Sequence, residues 1–181
     1  MKKFCALLLA AILCVGLLSG CGTKTETAEP VHQPGTFSVS DLYLTIGETK
    51  YVCDGEVTGL LKAFGEGYDY SEGMSCAYDG MDKVFTYPEL DVYTRPAGEK
   101  DLVTEICAYS NVTCSADLAI GASADAVRQA YGEPTDATSR LLRYVIAPAS
   151  AESEGASLYF KLDSDKNVKA IGVTAEVLIG E

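Results

Sequence analysis

The chain reads as an α+β protein made of two tandem repeats, each a short helical segment packed on an antiparallel β-sheet. Three observations predict this. Ala63-Phe64-Gly65-Glu66 recurs as Ala130-Tyr131-Gly132-Glu133, an offset of 67. Lys100-Asp101 is echoed by Lys166-Asn167, and Val103 with Ile106 by Val168 with Ile171, at offsets of 65 to 66. Within each copy the hydrophobic period changes from helical to extended, which places a helix ahead of strands. The first repeat is expected over 38–110 and the second over 111–181.

Taken in order, Val57, Leu60, Leu61 and Phe64 stand at i, i+3, i+4 and i+7, one face of a short helix that Gly65 stops. Strands are expected over 74–78, 83–87, 90–94 and 102–108, separated by turn formers such as Asp79-Gly80 and Ala97-Gly98. In the second copy Ser123 can cap a helix carrying Ala126, Val127, Ala130 and Tyr131, closed by Gly132 and Pro134. Strands over 141–146, 157–162 and 168–174 follow. Short strands joined by tight turns imply antiparallel sheets with the helices on one face. Tyr87-Pro88-Glu89 and Arg95-Pro96-Ala97 put prolines at strand ends, where a missing N–H does no harm.

Ahead of the repeats lies a leader. Lys2 and Lys3 start it, an apolar stretch runs over 4–18, and Ser19-Gly20 ends it, the three parts of a secretory signal. Its 15 apolar residues fall short of the 18 or more that suggest a spanning helix. The junction Leu18-Ser19-Gly20-Cys21 resembles the lipobox of bacterial lipoproteins, in which a diacylglyceryl group joins the cysteine thiol before cleavage leaves that cysteine as the first residue. The resemblance implies lipidation at Cys21, a signal over 1–20, and anchoring on the extracytoplasmic face of the cell membrane. A thiolate is the side chain able to take the lipid near neutral pH. Two acyl chains give stable anchoring where one does not, at about 0.8 kcal/mol per buried methylene. Residues 22–37, rich in Thr, Glu, Pro and Gly, are too polar to bury a core and read as a flexible tether. A tether of that length holds the domain about 20–25 Å from the lipid.

Cleavage leaves 161 residues and moves the formal charge from −12 to −14. A chain this acidic, with no run of Lys and Arg, repels phosphate backbones, so nucleic acid is not expected as a partner. Four cysteines remain in the exported part: Cys53, Cys76, Cys107 and Cys114. An even number outside the cytoplasm suggests two disulfides, with free buried thiols as the alternative. Cys107 and Cys114 flank the turn formers Tyr109-Ser110-Asn111 and are expected to pair across them, leaving Cys53 with Cys76. No Cys-x-x-Cys exists, so no metal site is expected.

The chemistry-bearing residues are sparse. The one histidine, His32, falls in the expected tether, so no Ser-His or Cys-His pair is expected. No phosphate or dinucleotide loop is present, and no cofactor is expected. Asp163-Ser164-Asp165-Lys166-Asn167 has the first three ligand positions of a calcium loop, but Val168 and Thr174 replace the glycine and glutamate it needs. A polar turn between strands is the better reading. Eleven tyrosines and no tryptophan are present, with Tyr68, Tyr70, Tyr78, Tyr87 and Tyr93 concentrated in the first repeat. Exposed tyrosines can stack on sugars or anchor a protein, and these five are the binding candidates. Tyrosine also favours strands, so each has a structural reading beside that one.

The segments Ser75-Cys76-Ala77-Tyr78-Asp79-Gly80-Met81-Asp82-Lys83-Val84-Phe85-Thr86-Tyr87-Pro88 and Ala130-Tyr131-Gly132-Glu133-Pro134 are similar to those of surface lipoproteins of clostridia-like bacteria. The tandem plan also resembles the fold of β-lactamase inhibitor protein and of small outer-membrane assembly lipoproteins. That resemblance implies binding of proteins or envelope components and transfers no inhibitory loop. The expected function is therefore a non-enzymatic, lipid-anchored module for an envelope protein or wall polymer, the alternative being a small-ligand or cation carrier.

Overall fold

Among the described residues, two eight-residue segments carry the helical periodicity, and almost everything else with regular structure is strand. The computed structural model describes residues 32–180. The signal, Cys21 and most of the expected tether lie outside the described residues. After a single 3-10 turn at Val39–Asp41 come β1 (Leu44–Ile46), β2 (Thr49–Tyr51), α1 (Val57–Phe64), β3 (Asp69–Met74), β4 (Met81–Thr86), β5 (Leu90–Ala97), β6 (Lys100–Ala108) and β7 (Val112–Cys114). Then follow α2 (Ala124–Tyr131), β8 (Asp136–Thr138), β9 (Leu141–Val145), β10 (Ser153–Glu154), β11 (Ser157–Leu162), β12 (Val168–Thr174) and β13 (Val177–Leu178). The α+β class holds. Among the described residues no helix is long and apolar enough to cross a membrane.

The main sheet has eight antiparallel strands in the order β3-β4-β5-β6-β12-β11-β9-β8. Its two meanders meet where β6 pairs with β12, in the register Ile171 with Ala108, Gly172 with Cys107, Val173 with Ile106 and Thr174 with Glu105. Side chains alternate across a strand, so this register turns Ile106, Ala108, Ile171 and Val173 to the helix side. There they join Leu44, Val57, Leu60, Val92, Val127, Leu142, Leu158 and Phe160 in one core. Each fully buried residue of this kind contributes about 1.5–3 kcal/mol relative to exposure.

Both helices stop as the sequence predicts, and for a common reason. Gly65 and Gly132 each take φ +80°, a backbone state that side chains disfavour, and each donates its N–H back to the helix, to Leu61 and Arg128 carbonyls at 2.8 Å. The freed glycine carbonyls then accept tyrosine hydroxyls from the sheet. Tyr87 reaches Gly65 at 2.9 Å and Tyr144 reaches Gly132 at 3.0 Å. Ser123 caps α2 by accepting the Ala126 N–H at 3.2 Å. The Asp163 turn is polar, its Oδ1 accepting the Asp165 and Asn167 N–H groups at 2.9 Å.

Three expectations are corrected. The strand expected over 74–78 lies instead at Asp69–Met74, because the Ser75 hydroxyl accepts the N–H groups of Ala77 and Tyr78 and turns the chain out of the sheet. Residues 109–111 do not close a hairpin: β7 leaves β6 and pairs with β1, so β2-β1-β7 form a separate three-stranded sheet. The tether ends sooner than residue 37, because residues 32–37 dock on α2. Gly35 N–H donates to the Ala130 carbonyl at 2.6 Å, Phe37 packs its ring 5.6 Å from that of Tyr144, and His32 sits 2.8 Å from Asp41. A Cβ at Gly132 would stand 2.8 Å from the Gly35 carbonyl oxygen, so glycine there also admits this segment.

Asp41 is the electrostatic centre of the docked segment, 1% exposed. Burial opposes its ionisation, but hydrogen bonding from Ser115, His32 and Ser38 outweighs burial and holds its carboxyl below the ordinary 3.8. A depressed folded-state value gives stability that is present above the unfolded value and lost as pH falls through the folded one. Thermal denaturation against pH should therefore show stability dropping below about 3.8. Asp41→Asn should cost about 1.5–3 kcal/mol at pH 7, typical of hydrogen bonds to a charged group, and flatten the acid limb.

Candidate functional site

The register that sends Ile106 and Val173 into the core sends their neighbours to the opposite, helix-free face. One row of partners crosses that face from strand to strand: Val84 opposite Tyr93, Tyr93 opposite Glu105, Glu105 opposite Thr174, and Thr174 opposite Ser157. Val84, Tyr93, Glu105 and Thr174 of this row floor a cleft of about 400 Å³ that straddles the β6–β12 seam. Residues 75–78 of the first half and 177–180 of the second form its walls. They meet where the Leu178 N–H donates to the Tyr78 hydroxyl at 2.8 Å. A short ladder of β10 with β13 secures the C-terminal wall.

The next row places Cys107 opposite Gly172 and Gly172 opposite Tyr159. Gly172 leaves a gap that the Tyr159 ring fills, since a Cβ there would lie 2.1 Å from Tyr159 Cζ. The ring therefore lies across the seam, and its hydroxyl donates to Glu105. Burial pushes the Tyr159 hydroxyl up, with the Glu105 carboxylate adding to the effect, so it stays a protonated donor. Tyr93 is raised by burial and by Asp91 and Glu105. Arg143 is held from two sides, its Nε donating to Ser157 Oγ at 3.2 Å and its guanidinium pairing with Glu154. The Arg95 guanidinium stacks 4.8 Å over the Tyr78 ring and pairs with Asp54 at 3.1 Å, while its buried Nε has no hydrogen-bond partner among the described residues.

Of the five tyrosine candidates, the structure brings Tyr78 and Tyr93 to the cleft. It takes the others elsewhere. Tyr87 is 7% exposed with its hydroxyl committed to Gly65, and Tyr68 packs edge-on against Phe85 and Tyr87, so both are structural. Tyr70 lies on the edge strand β3, its ring on Phe85 and its hydroxyl on Glu72. Glu105, Arg143 and Tyr159 were not among the candidates, because only long-range strand pairing brings them together. His32 belongs to no catalytic pair: its ring nitrogens face Asp41 and the Ala130 carbonyl. Among the described residues no three His, Cys, Asp or Glu side chains gather as metal ligands would.

The expected disulfides are corrected as well: Cys53, Cys76, Cys107 and Cys114 are all free. Cys107 faces outward with Tyr159 and Ala170, 3.4 Å from the Lys161 ammonium, whereas Cys114 belongs to the helix-side core. Seven residues of separation therefore end on opposite sides of the sheet. Cys53 is turned to the core and donates to the Val173 carbonyl at 3.3 Å, while Cys76 is exposed on the cleft wall beside Gly180. Comparison with protein-family models, with curated proteins and with solved structures finds no match.

Burial lifts the Cys53 thiol to about 12 and raises Cys114, which suppresses their thiolates. In a thiol titration without reductant, Cys76 should react in the native protein and all four cysteines after denaturation. Two or more protected thiols after denaturation would mean a bridge has formed.

Proposed function

We propose that this chain is a lipoprotein, anchored through Cys21 on the extracytoplasmic face of a bacterial membrane, whose domain is a non-catalytic binding module for an envelope protein or wall component. The cleft across the β6–β12 seam carries this reading. It is concave, lined by the rings of Tyr78 and Tyr93, and holds fixed polar groups at its floor, the composition of a recognition site.

The domain is further proposed to be a tandem repeat of one helix-plus-meander unit. The matching sequence offsets support this, as do the shared stop at Gly65 and Gly132 and the tyrosine bond each stop receives. A cleft made by both copies then has a simple origin: duplication created the seam, and the seam created the site. This agrees with the resemblance to β-lactamase inhibitor protein and to small assembly lipoproteins, whose plan is likewise tandem.

Two measurements test the reading together. Cys21→Ser should move the protein from the membrane fraction to the soluble one, and persistence in the membrane would contradict lipid anchoring. Wild-type protein in detergent should enrich a defined envelope component that the Tyr78→Ala, Tyr93→Ala double variant loses. Equal recovery by both proteins would contradict a role for the cleft.

A further inference from the structure

We infer that the cleft receives a cationic side chain, a lysine or arginine on a basic segment of a partner protein, with its charged end against Glu105; this rests on the binding-module reading above. The charge inventory carries it. Every cation on the lining already has a carboxylate: Lys83 has Asp101 at 2.7 Å, Arg95 has Asp54 at 3.1 Å, and Arg143 has Glu154. Two carboxylates on the lining, Glu105 and Asp82, have no cation among the described residues. Glu105 is held by the neutral Tyr159 hydroxyl, which orients the carboxylate without cancelling its charge. The uncompensated charge of the cleft is therefore negative.

The walls suit the same occupant. Tyr93 stands directly opposite Glu105 on the neighbouring strand, so a cation meeting the carboxylate also meets an aromatic ring. Tyr78 already stacks one guanidinium, that of Arg95, at 4.8 Å, which shows the kind of contact this wall makes. Val84, Ala175 and Val177 offer apolar surface to the methylene stem of such a side chain. An anion fares worse at each step. The buried unpartnered donor on the lining, Arg95 Nε, is sealed from solvent, and the chain as a whole carries a formal charge of −12. The long-range field and the local site thus favour the same sign, the arrangement that steers a basic partner into place.

The test uses the full-length lipoprotein in detergent micelles and two probes in calorimetric titration: an alternating lysine–glycine peptide and the same peptide with its lysines acetylated. The charged peptide should bind, and acetylation should weaken it about tenfold or more. Glu105→Gln, which keeps an acceptor for Tyr159, should weaken it by a similar factor, whereas Glu89→Gln, the same charge change on the β4–β5 turn, should leave it unaltered. Asp82→Asn serves as a second cleft variant, and thermal melting verifies that each variant is folded. Equal weakening by Glu89→Gln and Glu105→Gln would reduce the effect to general surface attraction and overturn the inference. So would failure of the charged peptide to bind. Binding of a glutamate–glycine peptide, abolished by Arg143→Ala, would also overturn it while leaving the cleft a binding site; loss of the binding-module reading itself would show instead as equal envelope recovery with and without Tyr78 and Tyr93.

Discussion

The pairing of β6 with β12 is the constraint on which the rest of the structure depends. Four residue pairs join two meanders into one sheet, and their register decides what each face carries. Ile106 and Val173 meet on the helix side and complete the core, while Glu105 and Thr174 meet on the other side and floor the cleft. A slip of one residue would exchange the two sets, burying a carboxylate and exposing isoleucine and valine, so hydrophobic burial itself selects the register that builds the site. Gly172 belongs to the same constraint, since the missing side chain at the seam is what lets Tyr159 lie flat and reach Glu105.

A second set of contacts ties the chain's described start to its later half. His32, Gly35 and Phe37 dock on α2 and Tyr144, and β1 pairs with β7, so the described start of the chain and the segment between the two meanders close over the helix-side core. Asp41 makes this docking possible. Its buried carboxylate accepts the Ser38 N–H at 2.8 Å and the Ser38 hydroxyl at 3.0 Å and faces the His32 ring, so its charge is satisfied where water cannot reach. The docked segment thereby covers the helix-side core, while the opposite face of the sheet carries the cleft over the seam.

Local physics made part of this legible in the sequence. Both helices could be read because their signals lie within about two turns: the apolar spacing from Val57 to Phe64, the Ser123 cap, and glycine at 65 and 132. β11 and β12 match their expected limits because turn formers bound two nearly continuously buried runs there. The cleft was not legible, since Glu105, Tyr159 and Arg143 are distant in sequence and ordinary in composition, and only the seam assembles them. Tyr68 and Tyr87 illustrate the converse: a cluster of tyrosines suggests a surface, yet the stop at Gly65 requires a buried hydroxyl donor. His32 was hidden by its polar neighbours, because composition cannot reveal that a short segment will dock. The cysteine count suggested bridges, but the faces of the sheet separate Cys107 from Cys114.

Residue-resolved native-state hydrogen exchange tests the central claim most directly. If the seam unites the halves, the β6 and β12 amides should be the most protected, exchanging only through global unfolding, and the cores of both meanders should share that same opening free energy. Exchange of the seam amides at a distinctly lower free energy than the meanders on either side would mean the halves stand independently, and would contradict the account.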